Sequence, residues 1–312
     1  MPRKITVATV SLRGGSPPTV EANLAAAERR LAHAAAVRPD IVCLPEVFSL
    51  LGIPAQDWPK AAEPVPGPTT ERIGAVARRF GMYVVCPVME RQGDRVLNAG
   101  VLLDRQGQVA GVYHKVHPTL HEMEVGVTPG TCTRVFTTDF GKVAILICFD
   151  AMFPARWQEA KSLGAEIVFW ASAYEGGLPL QARACDYEYY VVAATPLRYC
   201  QILDITGYPL ASTGYYTDVA WARLDLEKRL FSTDCNMAQY PAIVAKYGQR
   251  VTFNVLSPEG AFTLESNDPA LTVADIVREF GLEAQQDYFA RSTARQDAAR
   301  RAPAGRPGCA AP

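Results

Sequence analysis

Residues 142–154 read KVAILICFDAMFP, and how this stretch is parsed decides the rest of the chain. Lys142–Ile147 is almost wholly apolar, the pattern of a strand covered on both faces. A helix is expected over 154–163, with Gly164 as its stop, and a second apolar strand over 166–171. Buried strands joined by a helical crossover belong to layered α/β architecture, not to a bundle or an all-β sandwich.

Working outward, residues 4–10 read as a strand, 20–37 as an Ala-rich helix, and Asp40–Leu44 as a strand ending at Pro45 and Glu46. Gly52, Pro54, Pro59, Pro64, Pro66 and Gly67 make 47–67 a long surface excursion. A helix over Pro68–Phe80 follows, stopped by Gly81. Met82–Val88, Val96–Leu103 and Gln108–His114 are then strands, the last two joined by a hairpin turn at Asp104–Gly107. Further on come a helix over Leu180–Tyr189, strands at Tyr190–Ala194, 219–224 and 251–256, and a helix over 273–290. One domain is expected over 1–290. From Arg291 the composition turns to Arg, Ala, Pro and Gly, so 291–312 is expected to be a disordered tail.

The 31 basic and 32 acidic side chains of this 312-residue chain leave a formal charge of −1, which favours neither a nucleic-acid nor an anionic-membrane partner. MPRKITVATVS has no export-signal pattern, and no apolar run approaches the roughly 20 residues that span a bilayer. A cytoplasmic protein is expected. Its eight cysteines include no CxxC pair and are mostly read as small buried hydrophobes, Cys43 and Cys86 above all. His114, His117 and His121 straddle Pro118 at a spacing matching neither HExxH nor a zinc finger, so no metal is expected. No GxGxxG, Walker or GxSxG motif calls for a cofactor or a serine nucleophile.

Three polar residues each follow a strand-like run: Glu46 after IVCLP, Lys115 after VAGVYH, and Cys148 after KVAILI. A cysteine at a strand-to-turn junction can present its sulfur at the sheet edge, although a buried structural cysteine reads the same way. A carboxylate beside apolar packing needs solvent or a partner, and in such surroundings it can serve as a general base. An ammonium beside both can hold an oxyanion, a role in which one lost donor costs roughly 3 kcal/mol. Brought together, thiol, carboxylate and ammonium form a covalent acyl-transfer site.

The combination resembles the carbon–nitrogen hydrolase family, also called the nitrilase superfamily. LPE at Glu46, HK at Lys115 and ICFDAMFP at Cys148 match its motifs in order, within a resemblance spanning roughly residues 5–260. The resemblance implies a four-layer α-β-β-α sandwich. It implies Cys148 as nucleophile, Glu46 as proton carrier, and Lys115 with the Phe149 N–H around the oxyanion. It also implies pairing into homodimers or larger assemblies around the helix near 154–163. KVHPTLHE fits the nitrilase pattern KxxPTxxE and places an auxiliary glutamate at Glu122, with Glu124 as competitor. CFDAMFP instead looks like the CYDxxFP of amidases and carbamoyl-amide hydrolases.

A small amide or N-carbamoyl compound is therefore the expected substrate, with a nitrile as alternative. A catalytically silent scaffold is the alternative of a different class. Trp170 and Tyr174 are candidate pocket walls, joined by Phe48 and Trp58 from the excursion after Glu46. Arg156, Arg183 and Arg198 are compatible with a substrate carboxylate or with plain solvation, and none is assigned.

Overall fold

The computed structural model describes residues 3–12 and 18–301, which fall into two compact units, 4–226 and 227–301 with Arg3. In the larger unit the strands are β1 (Lys4–Val10), β2 (Ile41–Cys43), β3 (Tyr83–Gln92), β4 (Arg95–Leu103), β5 (Val109–His114), β6 (Val135–Thr137), β7 (Lys142–Ile147), β8 (Ile167–Ala171), β9 (Tyr190–Ala194), β10 (Gln201–Leu203), β11 (Pro209–Ser212) and β12 (Val219–Asp225). Its helices are α1 (Val20–Ala34), α2 (Trp58–Ala61), α3 (Pro68–Phe80), α4 (Leu120–Glu124), α5 (Pro154–Ser162) and α6 (Leu178–Tyr187).

The strands form two six-stranded sheets, ordered β12-β1-β2-β3-β4-β5 and β11-β10-β9-β8-β7-β6. In each, parallel pairing runs through the centre (β1-β2-β3 and β7-β8-β9) and antiparallel strands close both sides. In the second sheet β8 and β9 are buried along their whole length and β7 from Val143 onward, which is why they read as apolar runs.

The sheets face each other. Thr9 on β1 donates its hydroxyl to the Ala193 carbonyl on β9 at 2.8 Å. Gly100 on β4 lies so close to Ile145 on β7 that an added Cβ would fall 2.5 Å from its Cγ2, so only glycine permits this approach. On the outer face of the first sheet, Leu24, Ala27 and Leu31 of α1 and Ile73 and Ala77 of α3 pack over Val10, Val42, Val84 and Cys86. On the second, α6 packs on β9 with Leu180 and Ala184 buried, and α5 lies beside α6 with Trp157 and Ala160 buried. The layers are α-β-β-α, as expected.

The smaller unit holds β13 (Arg229–Ser232), α7 (Thr233–Asn236), α8 (Tyr240–Tyr247), β14 (Val251–Leu256), β15 (Ala261–Ser266), α9 (Val273–Phe280) and α10 (Gln285–Arg301). Its three-stranded antiparallel sheet, ordered β13-β15-β14, has its own core of Phe231, Ile243, Phe262, Leu264 and Ile276. The expected single domain over 1–290 thus divides near residue 226. The expected helix over 273–290 is two helices, because Gly281 at φ +64° ends α9 with a left-handed cap. Residues 291–301, expected as the start of a disordered tail, continue α10. Ala, Arg and Gln are good helix formers, and Arg291 is held by Glu283 through two hydrogen bonds. The rest of the expected tail, 302–312, lies outside the described residues.

Candidate active site

Glu46, Lys115, Glu122 and Cys148 come together at one end of the two sheets, three of them just past the carboxyl end of a strand and Glu122 in the first turn of α4. Glu46 follows β2, and the next residue, Val47, adopts φ +40°, a left-handed conformation that is an outlier for a β-branched side chain. Lys115 follows β5, and its backbone N–H stays on the ladder by donating to the Asn98 carbonyl at 2.9 Å. Cys148 follows β7 at φ +46° and opens the tight helical turn Cys148–Met152. Such a backbone position is strained for a residue with a Cβ.

The charged groups are buried and share hydrogen bonds. Lys115, 1% exposed, donates from Nζ to Glu46 Oε1 at 2.8 Å and to Glu122 Oε2 at 2.7 Å. Asn98 on β4 donates from Nδ2 to Glu46 Oε1 and to Glu122 Oε1, both at 2.9 Å. Glu122 is also fixed at the start of α4 by a reciprocal cap, its carboxylate accepting from the Thr119 N–H while its own N–H donates to Thr119 Oγ1.

Burial alone would pull the Lys115 ammonium down, but Glu46, Cys148 and Glu122 outweigh it and raise its proton affinity. Burial likewise opposes ionisation of Glu122, yet Lys115, Thr119 and Asn98 hold its carboxyl below the usual range. Burial and the Glu46 charge push the Cys148 thiol up to about 12, against opposing help from Lys115, the Ala173 N–H and the Ser172 hydroxyl. Burial thus favours the protonated form of this sulfur.

The turn that carries Cys148 is held from several sides. Asp150 Oδ2 accepts from the Ile147 N–H at 3.0 Å and the Tyr113 hydroxyl at 2.7 Å, while Oδ1 accepts from the His117 N–H at 3.0 Å. This carboxylate caps the turn. Trp170 donates Nε1 to the Cys148 carbonyl at 3.0 Å. The Phe149 N–H sits at the start of the same turn, where helical N–H groups have no partner within the helix.

The expected pocket walls divide. Tyr174 is 37% exposed and edge-on to Trp170, and its hydroxyl is pushed up to about 12 by burial, then by the Cys148 and Glu46 charges. It lies within the electrostatic reach of the site. Trp170 is fully buried and anchors the Cys148 backbone, so it offers no exposed wall. Phe48 is fully buried in the core under α1, because the turn at Val47 directs the chain inward. Trp58 packs with Val47, Leu50 and Met89 and donates Nε1 to the Ile53 carbonyl. Glu124 is exposed beside His121 and takes no part. His114 and His117 go to different carboxylates, Glu90 and Asp150, and no group of metal-ligating residues forms among the described residues. Arg156 and Arg183 pair with Glu159 and Asp186 on their own helices, whereas Arg198 lies over the rings of Tyr199 and Tyr215. Asn98 went unnoticed in the sequence, where a lone polar letter inside the strand RVLNAGVLL was its only signal.

The carbon–nitrogen hydrolase family model matches residues 6–229. The chain belongs to the carbon–nitrogen hydrolase family. It is similar to the omega-amidase NIT3 of Saccharomyces cerevisiae, 26% identical over 260 residues, or 72% of this chain and 88% of that protein. The crystal structure of Nit3 from the same yeast matches with a TM-score of 0.65 at 24% identity, covering 79% of this chain and 97% of that one. A β-ureidopropionase of Arabidopsis thaliana is 31% identical over 159 residues, 46% of this chain and 39% of its own length. A bifunctional nitrilase/nitrile hydratase of Lupinus angustifolius, NIT4B, is 32% identical over 165 residues, 47% of each chain. The chain thus spans less than half the length of the last two relatives. This hydrolase keeps the family's sandwich, and the family match ends at residue 229, just inside the smaller unit. No helix among the described residues is long and apolar enough to cross a membrane.

Proposed function

We propose that this enzyme hydrolyses a small amide or N-carbamoyl compound through a thioester on Cys148. The observation that carries the reading is the buried set in which Lys115 joins two carboxylates beside the buried Cys148 at a strained turn. Glu46 takes the Cys148 proton as sulfur attacks the carbonyl carbon, and Lys115 with the Phe149 N–H holds the oxyanion. Collapse of the tetrahedral adduct breaks the carbon–nitrogen bond, and Glu46 returns the proton to the departing ammonia or amine. Water, deprotonated by Glu46, then hydrolyses the thioester and restores the thiol. Glu122 holds Lys115, and Tyr174 lines the substrate side.

The amide leaning draws on CFDAMFP and on the yeast omega-amidase, a relative matched over most of its length. Membership in a family of hydrolases favours an enzyme over the silent scaffold. The test is a turnover panel of nitriles, simple amides and N-carbamoyl amines, with ammonia and carboxylic acid quantified separately. Amide turnover that disappears in Cys148→Ala supports the proposal. A preference of at least about 100-fold for nitriles, roughly 2.7 kcal/mol, overturns the amide assignment. The absence of both turnover and an acyl adduct on Cys148 returns the scaffold reading.

A further inference from the structure

We propose that Asn98 is a positioning residue of this site: its amide holds Glu46 and Glu122 in register and determines which Glu46 oxygen receives the Cys148 proton. The inference rests on the reading of Glu46 as the base. Lys115 Nζ and Asn98 Nδ2 each bridge the two carboxylates, which closes a ring of four hydrogen bonds. Glu46 Oε1 accepts from both. Among the described residues no protein donor lies on Glu46 Oε2, so that oxygen is the one left for the thiol.

The opposite end of Asn98 sharpens the argument. Its Oδ1 is buried and has no hydrogen-bond partner. An unmet buried acceptor is destabilising, so this side chain is not explained by its own satisfaction. Rotating the amide would turn Oδ1 onto two carboxylates, so the acidic pair fixes its orientation. Its two N–H groups compensate the second carboxylate without adding a second charge to a buried site.

The charged and titratable groups facing Asn98 and its partners come from five elements. They are Glu46 after β2, Lys115 after β5, Glu122 on α4, Cys148 after β7 and Tyr174 after β8. Asn98→Asp keeps the shape and replaces both donors with a third acid. Asn98→Ala removes the donors and adds no charge. In either case Glu46 and Glu122 each lose a donor, and Glu46 is less well placed to take the thiol proton.

The probe is iodoacetamide, which reads thiol activation without knowledge of the substrate. Its rate of reaction with Cys148 is followed by peptide-resolved mass spectrometry between about pH 5 and 9, on the full chain, with circular dichroism as the check of folding. Glu46→Gln removes the base and also the charge that raises the thiol, so it is read by amide turnover, which is expected to be lost. Each Asn98 variant is expected to be alkylated about tenfold more slowly near neutrality, with the acid limb of the profile moved up by about one pH unit. A merely structural residue would lower the melting temperature and leave that limb in place. A folded Asn98 variant with the wild-type profile, alongside an impaired Glu46→Gln, overturns the role of Asn98 alone. An unimpaired Glu46→Gln overturns the base assignment and this inference with it. Should Asn98→Asp not fold, Asn98→Ala decides; failure of both to fold assigns Asn98 to stability only and overturns the proposal.

Discussion

His117 donates its backbone N–H to Asp150 Oδ1 at 3.0 Å, and its ring Nδ1 lies 3.1 Å from the same oxygen. His117 is two residues past Lys115 and Asp150 two residues past Cys148, so one carboxylate ties the lysine's segment to the nucleophile's turn. The His117 ring stacks on Phe153 with centroids 3.6 Å apart and planes 5° from parallel, which clamps the far end of that turn as well. Positions proposed for the oxyanion donor and the nucleophile are therefore set by the same residue.

Asp150→Asn tests that coupling. An amide accepts at one end only, so its NH2 must face either the Ile147 N–H and Tyr113 hydroxyl or the His117 N–H. Loss of hydrogen bonds to a charged acceptor is expected to cost about 1.5–3 kcal/mol in urea unfolding. Turnover should fall at least about tenfold even below the denaturation range, as for other orienting partners. Full activity in a folded Asp150→Asn protein would contradict the coupling.

Glu122→Gln and Glu124→Gln separate the two candidate auxiliary acids. Glu122 is buried and bonded to Lys115, Asn98 and the Thr119 N–H, whereas the Glu124 side chain is 74% exposed, 3.9 Å from His121. The first substitution leaves Lys115 one carboxylate short and is expected to reduce kcat by about 10–100-fold. The second removes a solvated pair and should change kcat by less than about twofold. Equal effects of the two would remove Glu122 from the site.

The buried thiol carries a signature in alkaline stability. Its proton affinity is raised, to about 12, relative to an ordinary thiol value of 9.0. Above pH 9 the unfolded chain therefore gives up a proton that the folded chain keeps. Folded-state stability from this group is full below that pH and declines as pH rises toward 12. Between pH 8 and about 10.5, below the range where Lys115 also titrates, the melting temperature of the wild type should fall more steeply than that of Cys148→Ala. Parallel slopes would mean that burial does not hold the proton.

Much of the site was legible because each reactive residue ends an apolar run: a strand that must be buried delivers its next residue to the edge of the sheet. Glu122 was legible by its spacing from Lys115 and Pro118. Asn98 was not, because strand alternation places it on the face of Gly100 but says nothing of which carboxylates cross to meet it. Phe48 misled for a related reason: an aromatic residue beside Glu46 reads as a pocket wall until the left-handed turn at Val47 is known. In the fold, the short strands β6, β10, β11 and β13, of three or four residues each, carry too little pattern to be seen locally. The smaller unit was hidden because its apolar positions are dispersed over 227–282 and become a core only through the long-range pairing of β13 with β15.

Lys115→Met separates what the ammonium does for folding from what it does for turnover. The substitution keeps an unbranched stem but leaves Glu46 and Glu122 buried together with no cation between them. Removing one partner of a buried charge set typically destabilises by about 3–5 kcal/mol. Two adjacent carboxylates without a counter-ion cannot both stay ionised, so the pair takes up a proton in the folded state. Its proton affinity then exceeds that of the unfolded chain, and the sign follows: the deficit shrinks at low pH and grows as pH rises. Urea unfolding at pH 5 and pH 8 should accordingly give the larger loss at pH 8. Adding Glu122→Gln to Lys115→Met removes one of the stranded charges and should recover part of that stability, so the double substitution is less damaging than the sum of the singles. Activity should not return with it, because no ammonium remains to meet the oxyanion. Strict additivity at both pH values would mean that Lys115 and Glu122 do not act on each other, against the 2.7 Å contact between them.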